Sequence, residues 1–287
     1  MSATDLTSSP ATPRATPPAH RHVFVGGLHR SGTTPLAKWL AEHPQISGLT
    51  GTGVPEDEGQ HVQRVYPPAA RFGGPGTFAF SPEAHMTETS PLATPASRER
   101  LDAAWGAHWE RARPVLLEKS PPNLVRTRFL QALYPEASFV VITRHPGAVA
   151  MATRKWAGPL RNVRVHTLVR HWFVAHECFL RDSAHLRRVL LVRYEDLVSA
   201  PGRELARVHR FLGVDEVPVD VPARGRLNAD YFAEWRSNPL QQLYTGAIAR
   251  RMEPRARAFG YSLLDWDAAP PPTRPVAALR AGRPEVA

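Results

Sequence analysis

Val23-Phe24-Val25-Gly26-Gly27-Leu28-His29-Arg30-Ser31-Gly32-Thr33-Thr34-Pro35 carries an apolar strand into a glycine-rich turn and out into a helix start. Glycines let backbone N–H groups converge on an anion, and the following helix adds N-terminal donors and the positive end of its dipole. Pro35 suits the first turn of that helix. The stretch predicts a phosphate cradle. Gly27 and Gly32 have the G-x-x-x-x-G spacing of an ATPase loop, but Thr33 stands where that pattern requires lysine. The cation has moved to Arg30. A magnesium-bridged triphosphate is poorly supported without the lysine, whereas a nucleotide with a terminal anion held by Arg30, hydroxyls and backbone amides fits.

Outward from this stretch, strands and helices alternate as in a parallel sheet covered on both faces. Strands are expected at His22 to Gly26, Val115 to Glu118, Ser138 to Thr143 and Val189 to Arg193, all near-continuous apolar runs suited to buried parallel strands. After the second, Ser120 is placed to cap a helix that has Pro121 in its first turn and Val125, Phe129 and Leu133 at helical spacing. Pro146 opens another helix after the third. Leu168, Trp172, Ala175 and Phe179 form a stripe read as core, and Pro201 starts a helix carrying Leu205, Val208 and Leu212. The fold class is α/β, a P-loop-type parallel sheet flanked by helices, in one domain over residues 21–266. Residues 48–114 have weak periodicity and many Gly and Pro residues. They are too long for an ordinary connection and are assigned to an acceptor site at the carboxyl edge of the sheet.

Residues 1–20 are rich in Ser, Thr and Pro, without the apolar run of a signal peptide, and are expected to be disordered; residues 267–287 read as a flexible Pro- and Ala-rich tail. No stretch approaches the ~20 apolar residues of a membrane helix, so a cytoplasmic protein is expected. Cys178 is the only cysteine, which excludes an intrachain disulfide and a cysteine-based zinc site. The formal charge of +10 invites a nucleic-acid partner, but the basic residues are scattered and no nucleic-acid-binding motif accompanies them. Almost all are arginine, with lysine only at Lys38, Lys119 and Lys155. The positive balance instead suits a multiply anionic small molecule.

Four segments together resemble the sulfotransferases that use 3′-phosphoadenosine-5′-phosphosulfate (PAPS). Arg30-Ser31-Gly32-Thr33-Thr34 is similar to the 5′-phosphosulfate loop of the tyrosylprotein and bacterial branches, and Glu42-His43-Pro44 to the helix end found there. Leu116-Leu117-Glu118-Lys119-Ser120-Pro121 resembles the E-K-[ST]-P segment of the carbohydrate branch. Phe139-Val140-Val141-Ile142-Thr143-Arg144-His145-Pro146 resembles the family's 3′-phosphate site, and Val192-Arg193-Tyr194-Glu195-Asp196-Leu197 is a weaker match. The resemblance runs from about His22 to about Leu264 with the motifs in family order. It implies sulfuryl transfer from PAPS, with adenosine 3′,5′-bisphosphate as product and no metal.

In-line transfer needs a base near the acceptor hydroxyl and cations near the leaving oxygen. Arg30 and Lys119 supply the cations. Lys119 directly follows a strand end, and the resemblance implies contact with the sulfuryl or bridging oxygen. The base is expected within Val54-Pro55-Glu56-Asp57-Glu58-Gly59-Gln60-His61, where the family's glutamate corresponds to Glu58 and His61 competes because its ordinary pKa suits proton abstraction near neutrality. In a helix, positions 58 and 61 share a face. His29, Arg30, Ser31, Gly32, Thr33 and Thr34 form the donor loop, with His29 a packing or hydrogen-bonding residue rather than the base. Arg144 is expected at the 3′-phosphate. The serine usual eight positions later is Ala152, so either Thr153 serves or that contact is lost. Tyr194 is either an adenosine contact or a core aromatic. Pro35 replaces the tryptophan of cytosolic small-molecule sulfotransferases, and the glycine-rich C-terminal motif of that branch is not evident.

Two other readings stay open at the level of sequence: a magnesium-dependent small-molecule kinase on a divergent loop, and a nucleotide-binding protein without catalysis. The acceptor region has no specific motif. A small molecule or glycoconjugate is preferred, and oligomeric state is unreadable.

Overall fold

The computed structural model describes residues 20–157, 164–219, 221–223, 228–237, 239–266 and 276–281. Its strands are β1 (Arg21–Gly27), β2 (Ile46–Gly48), β3 (Val115–Lys119), β4 (Ser138–Thr143) and β5 (Val189–Arg193). Its α-helices are α1 (Thr33–Ala41), α2 (Gly59–Val62), α3 (Pro95–Gly106), α4 (Thr127–Leu133), α5 (Pro146–Ala157), α6 (Val165–Asp182), α7 (Tyr194–Ser199), α8 (Pro201–Leu212), α9 (Ala229–Trp235), α10 (Pro239–Ala258) and α11 (Val276–Ala281).

The strands form one parallel sheet in the order β2-β3-β1-β4-β5. β1 is central, so the chain leaves it on one side and returns to flank it with β3 and then β4. The carboxyl ends of these three strands therefore meet at a topological switch point, where α/β sheets bind ligands. The register seats Val25 opposite Lys119 and Gly27 opposite Ile142.

Alternation along each strand explains the unbroken apolar runs. Val23, Val25, Leu117, Val140 and Ile142 face α1 and α8, where they meet Leu36, Leu40, Leu205, Val208 and Leu212. Phe24, Leu116 and Phe139 face the opposite side and pack with Trp105, Phe129, Leu130 and Tyr134. At roughly 1.5–3 kcal/mol per fully buried large apolar side chain, this two-sided burial outweighs local turn preference in setting the sheet. The Leu168, Trp172, Ala175 and Phe179 stripe of α6 is buried in a third cluster with α5, α10 and α11. No described helix is long and apolar enough to cross a membrane.

Three expectations are corrected. The helix expected from Ser120 onward is split into a 3-10 turn, Pro121–Val125, and α4, with Arg126 between them at φ −131° and ψ 12°, outside the helical region. That break turns the buried Arg126 guanidinium onto the Pro67 carbonyl and the Tyr66 ring, tying the 48–114 insertion to the sheet. Ser120 does not cap: its hydroxyl accepts the Gln60 backbone N–H and donates to Glu118. Within the expected flexible tail, residues 276–281 form α11, whose Val276 and Leu279 lie one helical turn apart and are buried in the α6 cluster. Residues 1–19, 267–275 and 282–287 lie outside the described residues. β2 was not anticipated; three residues carry too little pattern to read.

Candidate active site

The phosphate loop closes β1 onto α1 through a tight backbone turn. Ser31 N–H donates to the Leu28 carbonyl at 3.0 Å, and Leu36 N–H to the Gly32 carbonyl at 3.2 Å. Arg30 and Gly32 occupy the left-handed region, with φ of 68° and 98°. A side chain at Gly32 would place its Cβ 2.5 Å from the Tyr194 ring, so close approach as well as backbone conformation requires glycine there. Ser31 and Thr33 are buried, and the Ser31 hydroxyl has no hydrogen-bond partner among the described residues. A buried unsatisfied hydroxyl costs about 1–3 kcal/mol, which an anion in the loop would offset.

The structure brings Arg144 to this loop from the end of β4. Its guanidinium donates to the Arg30 carbonyl at 2.9 Å and to the Asn228 side-chain oxygen at 2.9 and 2.7 Å, and it stacks 4.2 Å from the Tyr194 ring centroid. Burial pulls its pKa down, while Tyr194 and Glu195 oppose that. Glu195 orders the surroundings: it accepts from His145 N–H at 2.9 Å, Asn228 Nδ2 at 3.0 Å and the Tyr261 hydroxyl at 3.2 Å.

On the other side of β1, Lys119 reaches from the end of β3 to the Thr34 hydroxyl and to Glu58 Oε1, each at 3.3 Å. Both members of this ion pair are buried. Glu58 Oε2 accepts from Gln60 Nε2 at 2.6 Å and lies 3.8 Å from His61 Nε2. The segment is helical only from Gly59, with Glu58 an extended residue at its amino end, so the expected shared helical face does not form and the two side chains meet across the helix start instead. Glu56 and Asp57, just before it, have φ of 56° and 48°, and Asp57 accepts from the Thr52 hydroxyl at 2.6 Å. Among the described non-glycine residues, Arg30, Glu56 and Asp57 are those with positive φ. Backbone strain is thus concentrated at the two segments that meet Arg144 and Lys119.

Beneath this pair lies a fully buried carboxyl, Glu118. It accepts from the Ser120 hydroxyl and from Asn123 Nδ2, each at 2.6 Å, and burial pushes its pKa up to about 7. Thr153 and His29 line a small void with Gly76, Leu168 and His171, and the His29 ring stacks on Trp156. Sequence reasoning gave no role to Asn228, Glu195, Glu118 or Gln60. The available signal was Glu118 itself, a charge pointing inward on an otherwise apolar strand.

The family model described as "Sulfotransferase family" matches residues 22–218. Nodulation protein NoeE of Sinorhizobium fredii is 27% identical over 219 residues, covering 67% of this chain and 50% of that protein. Protein-tyrosine sulfotransferase 2 of Gallus gallus is 28% identical over 207 residues, covering 67% and 51%. The chain thus spans about half the length of these curated relatives. The crystal structure of a sulfotransferase from Alicyclobacillus acidocaldarius aligns with a TM-score of 0.47 at 15% identity, over 83% of this chain and 96% of that one.

Proposed function

The chain belongs to the sulfotransferase family, and on that premise we propose that it moves a sulfuryl group from PAPS to a hydroxyl of a small molecule or glycoconjugate. The observation that carries this reading is the convergence, on either side of β1, of Arg144 beside the loop and the buried Lys119–Glu58 pair. The loop amides, Arg30 and the hydroxyls of Ser31, Thr33 and Thr34 would take the 5′-phosphosulfate, and Arg144, exchanging the Asn228 oxygen for phosphate oxygens, the 3′-phosphate. Tyr194, packed between Gly32 and Arg144, suits an adenosine contact.

Glu58 is the proposed base. Its two oxygens hold Lys119 and Gln60, yet a carboxylate has about four lone-pair directions, leaving room for an acceptor O–H. As the acceptor oxygen bonds to sulfur, its proton passes to Glu58 and the bond from sulfur to the bridging oxygen breaks. Lys119 and Arg30 offset the negative charge that grows on the departing bisphosphate. His61 is the second candidate for the proton. The kinase alternative recedes with family membership, and turnover separates the proposal from a binding protein without catalysis.

Calorimetry with adenosine 3′,5′-bisphosphate in the absence of metal tests the donor assignment. Micromolar binding is expected, weakened about ten- to a hundredfold in Arg144→Ala, as the loss of charge-assisted hydrogen bonds predicts. Preference for magnesium-ATP, or an unchanged affinity in Arg144→Ala, would overturn it.

A further inference from the structure

We propose that Glu118 is a positioning residue that seats the segment bearing Glu58, so that the base meets Lys119 in the geometry the transfer requires. The inference rests on the sulfuryl-transfer reading above and extends it to a group that does not touch substrate.

A chain of contacts connects the two carboxylates. Glu118 Oε1 holds the Ser120 hydroxyl at 2.6 Å, and that hydroxyl accepts the Gln60 backbone N–H at 2.9 Å. The Gln60 side chain then donates to Glu58 Oε2 at 2.6 Å, while its oxygen accepts from Ala69 N–H at 2.9 Å. Gly59, between Glu58 and Gln60, lies so close to Glu118 that any Cβ there would collide with the Glu118 carboxyl. Trp105 Nε1 holds the Gly59 carbonyl from the other side at 3.0 Å. α2 has a single turn and its neighbours Glu56 and Asp57 are strained, so its own backbone cannot fix where Glu58 points. These side-chain contacts do.

Burial makes the carboxyl expensive to keep, as its raised pKa records. An apolar side chain would cost less in stability, but it could not hold Ser120, and so could not hold Gln60. Glutamine could, in part. Asn123 Oδ1 has no hydrogen-bond partner among the described residues, so a turned Asn123 amide can accept from the new NH₂ while Ser120 keeps its acceptor.

The test measures release of adenosine 3′,5′-bisphosphate from PAPS with water as acceptor, beside calorimetric bisphosphate affinity, in the full chain. Glu118→Ala is expected to slow release about tenfold or more through misplacement of the base, with bisphosphate affinity unchanged, and Glu118→Gln to recover most of the rate. Gly59→Ala, which keeps the carboxyl but displaces the segment, should match Glu118→Ala and carries the test if the latter fails to fold. Wild-type rates in Glu118→Ala and Gly59→Ala, while Glu58→Gln is inactive, would overturn the inference. So would a parallel loss of bisphosphate affinity, which would mark Glu118 as general scaffold. A fully active Glu58→Gln would instead sink the base assignment, and the inference with it.

Discussion

The phosphate loop and the segment carrying Glu58 serve the same sheet edge but are built by different means. The loop hangs from the central strand, bonded to neighbours on both sides, and its shape is backbone: a left-handed Arg30, a glycine pressed on Tyr194, a helix start. The segment from Pro55 to Val62 has no strand partner among the described residues. It is held by side chains, through Asp57 to Thr52, Gln60 to Glu58 and Ala69, Ser120 to Gln60, and Trp105 to Gly59. Backbone-built geometry tolerates most side-chain changes except at glycine, whereas side-chain-built geometry fails wherever a link is removed.

The proposed base gives the sharpest contrast. Glu58→Gln is expected to lower PAPS turnover about a hundredfold or more, in the range of lost general base catalysis, while bisphosphate binding persists. Equal turnover in the two proteins would remove the distinction between binding edge and chemical edge. In the loop, Gly32→Ala should cost about 2 kcal/mol or more of stability, read as a lower thermal midpoint, and most of the bisphosphate affinity, because it combines positive φ with the Tyr194 clash. Ser31→Ala, which leaves the backbone untouched, should cost far less affinity; the reverse ranking would show that side chains rather than backbone build the cradle. Gln60→Leu should slow turnover about tenfold through the loosened Glu58 with little change in bisphosphate affinity. A loss confined to affinity would contradict that.

The smallest effect is expected far from both regions. His85 Nε2 lies 2.8 Å from Asp182 Oδ2, and that hydrogen bond raises the imidazole from 6.5 to about 10. The folded pKa exceeds the unfolded one, so the stabilisation is complete below pH 6.5 and fades as pH rises through about 10. Thermal midpoints should therefore fall over that window, and the fall should flatten in His85→Gln without altering bisphosphate binding. A pH-independent wild type would dispose of the pair's contribution.

The difference in construction also explains what could be read beforehand. β4 and β5 fall where their apolar runs place them, and the loop, α1 and the α6 stripe follow from local pattern. Asn228 and Glu195 could not be paired with Arg144 in the same way. Asn228 lies 84 residues from Arg144 in a stretch without periodicity, and its partnership exists only after the chain has closed. Arg126 broke a helix that its spacing favoured because a buried cation needed the Pro67 carbonyl. Glu58 is proposed from its place a short way beyond a motif, but the contacts that hold it were not legible, since Ser120 reads locally as a helix cap and globally serves Glu118.

The register of β3 against β1 sets the electrical sign of the site. Phe24 is level with Glu118 and Val25 with Lys119, and the pleat sends these two charges to opposite faces of the sheet. Lys119 thereby comes under Thr34, and Glu118 is turned down among Ser120 and Asn123. A slip by a single residue would swap them, putting a carboxylate beside Thr34 and the ammonium among Ser120 and Asn123. The alignment of two short strands thus acts as a polarity key, and an insertion or deletion of one residue in β3 would invert the site from attraction to repulsion without changing a side chain in the phosphate loop.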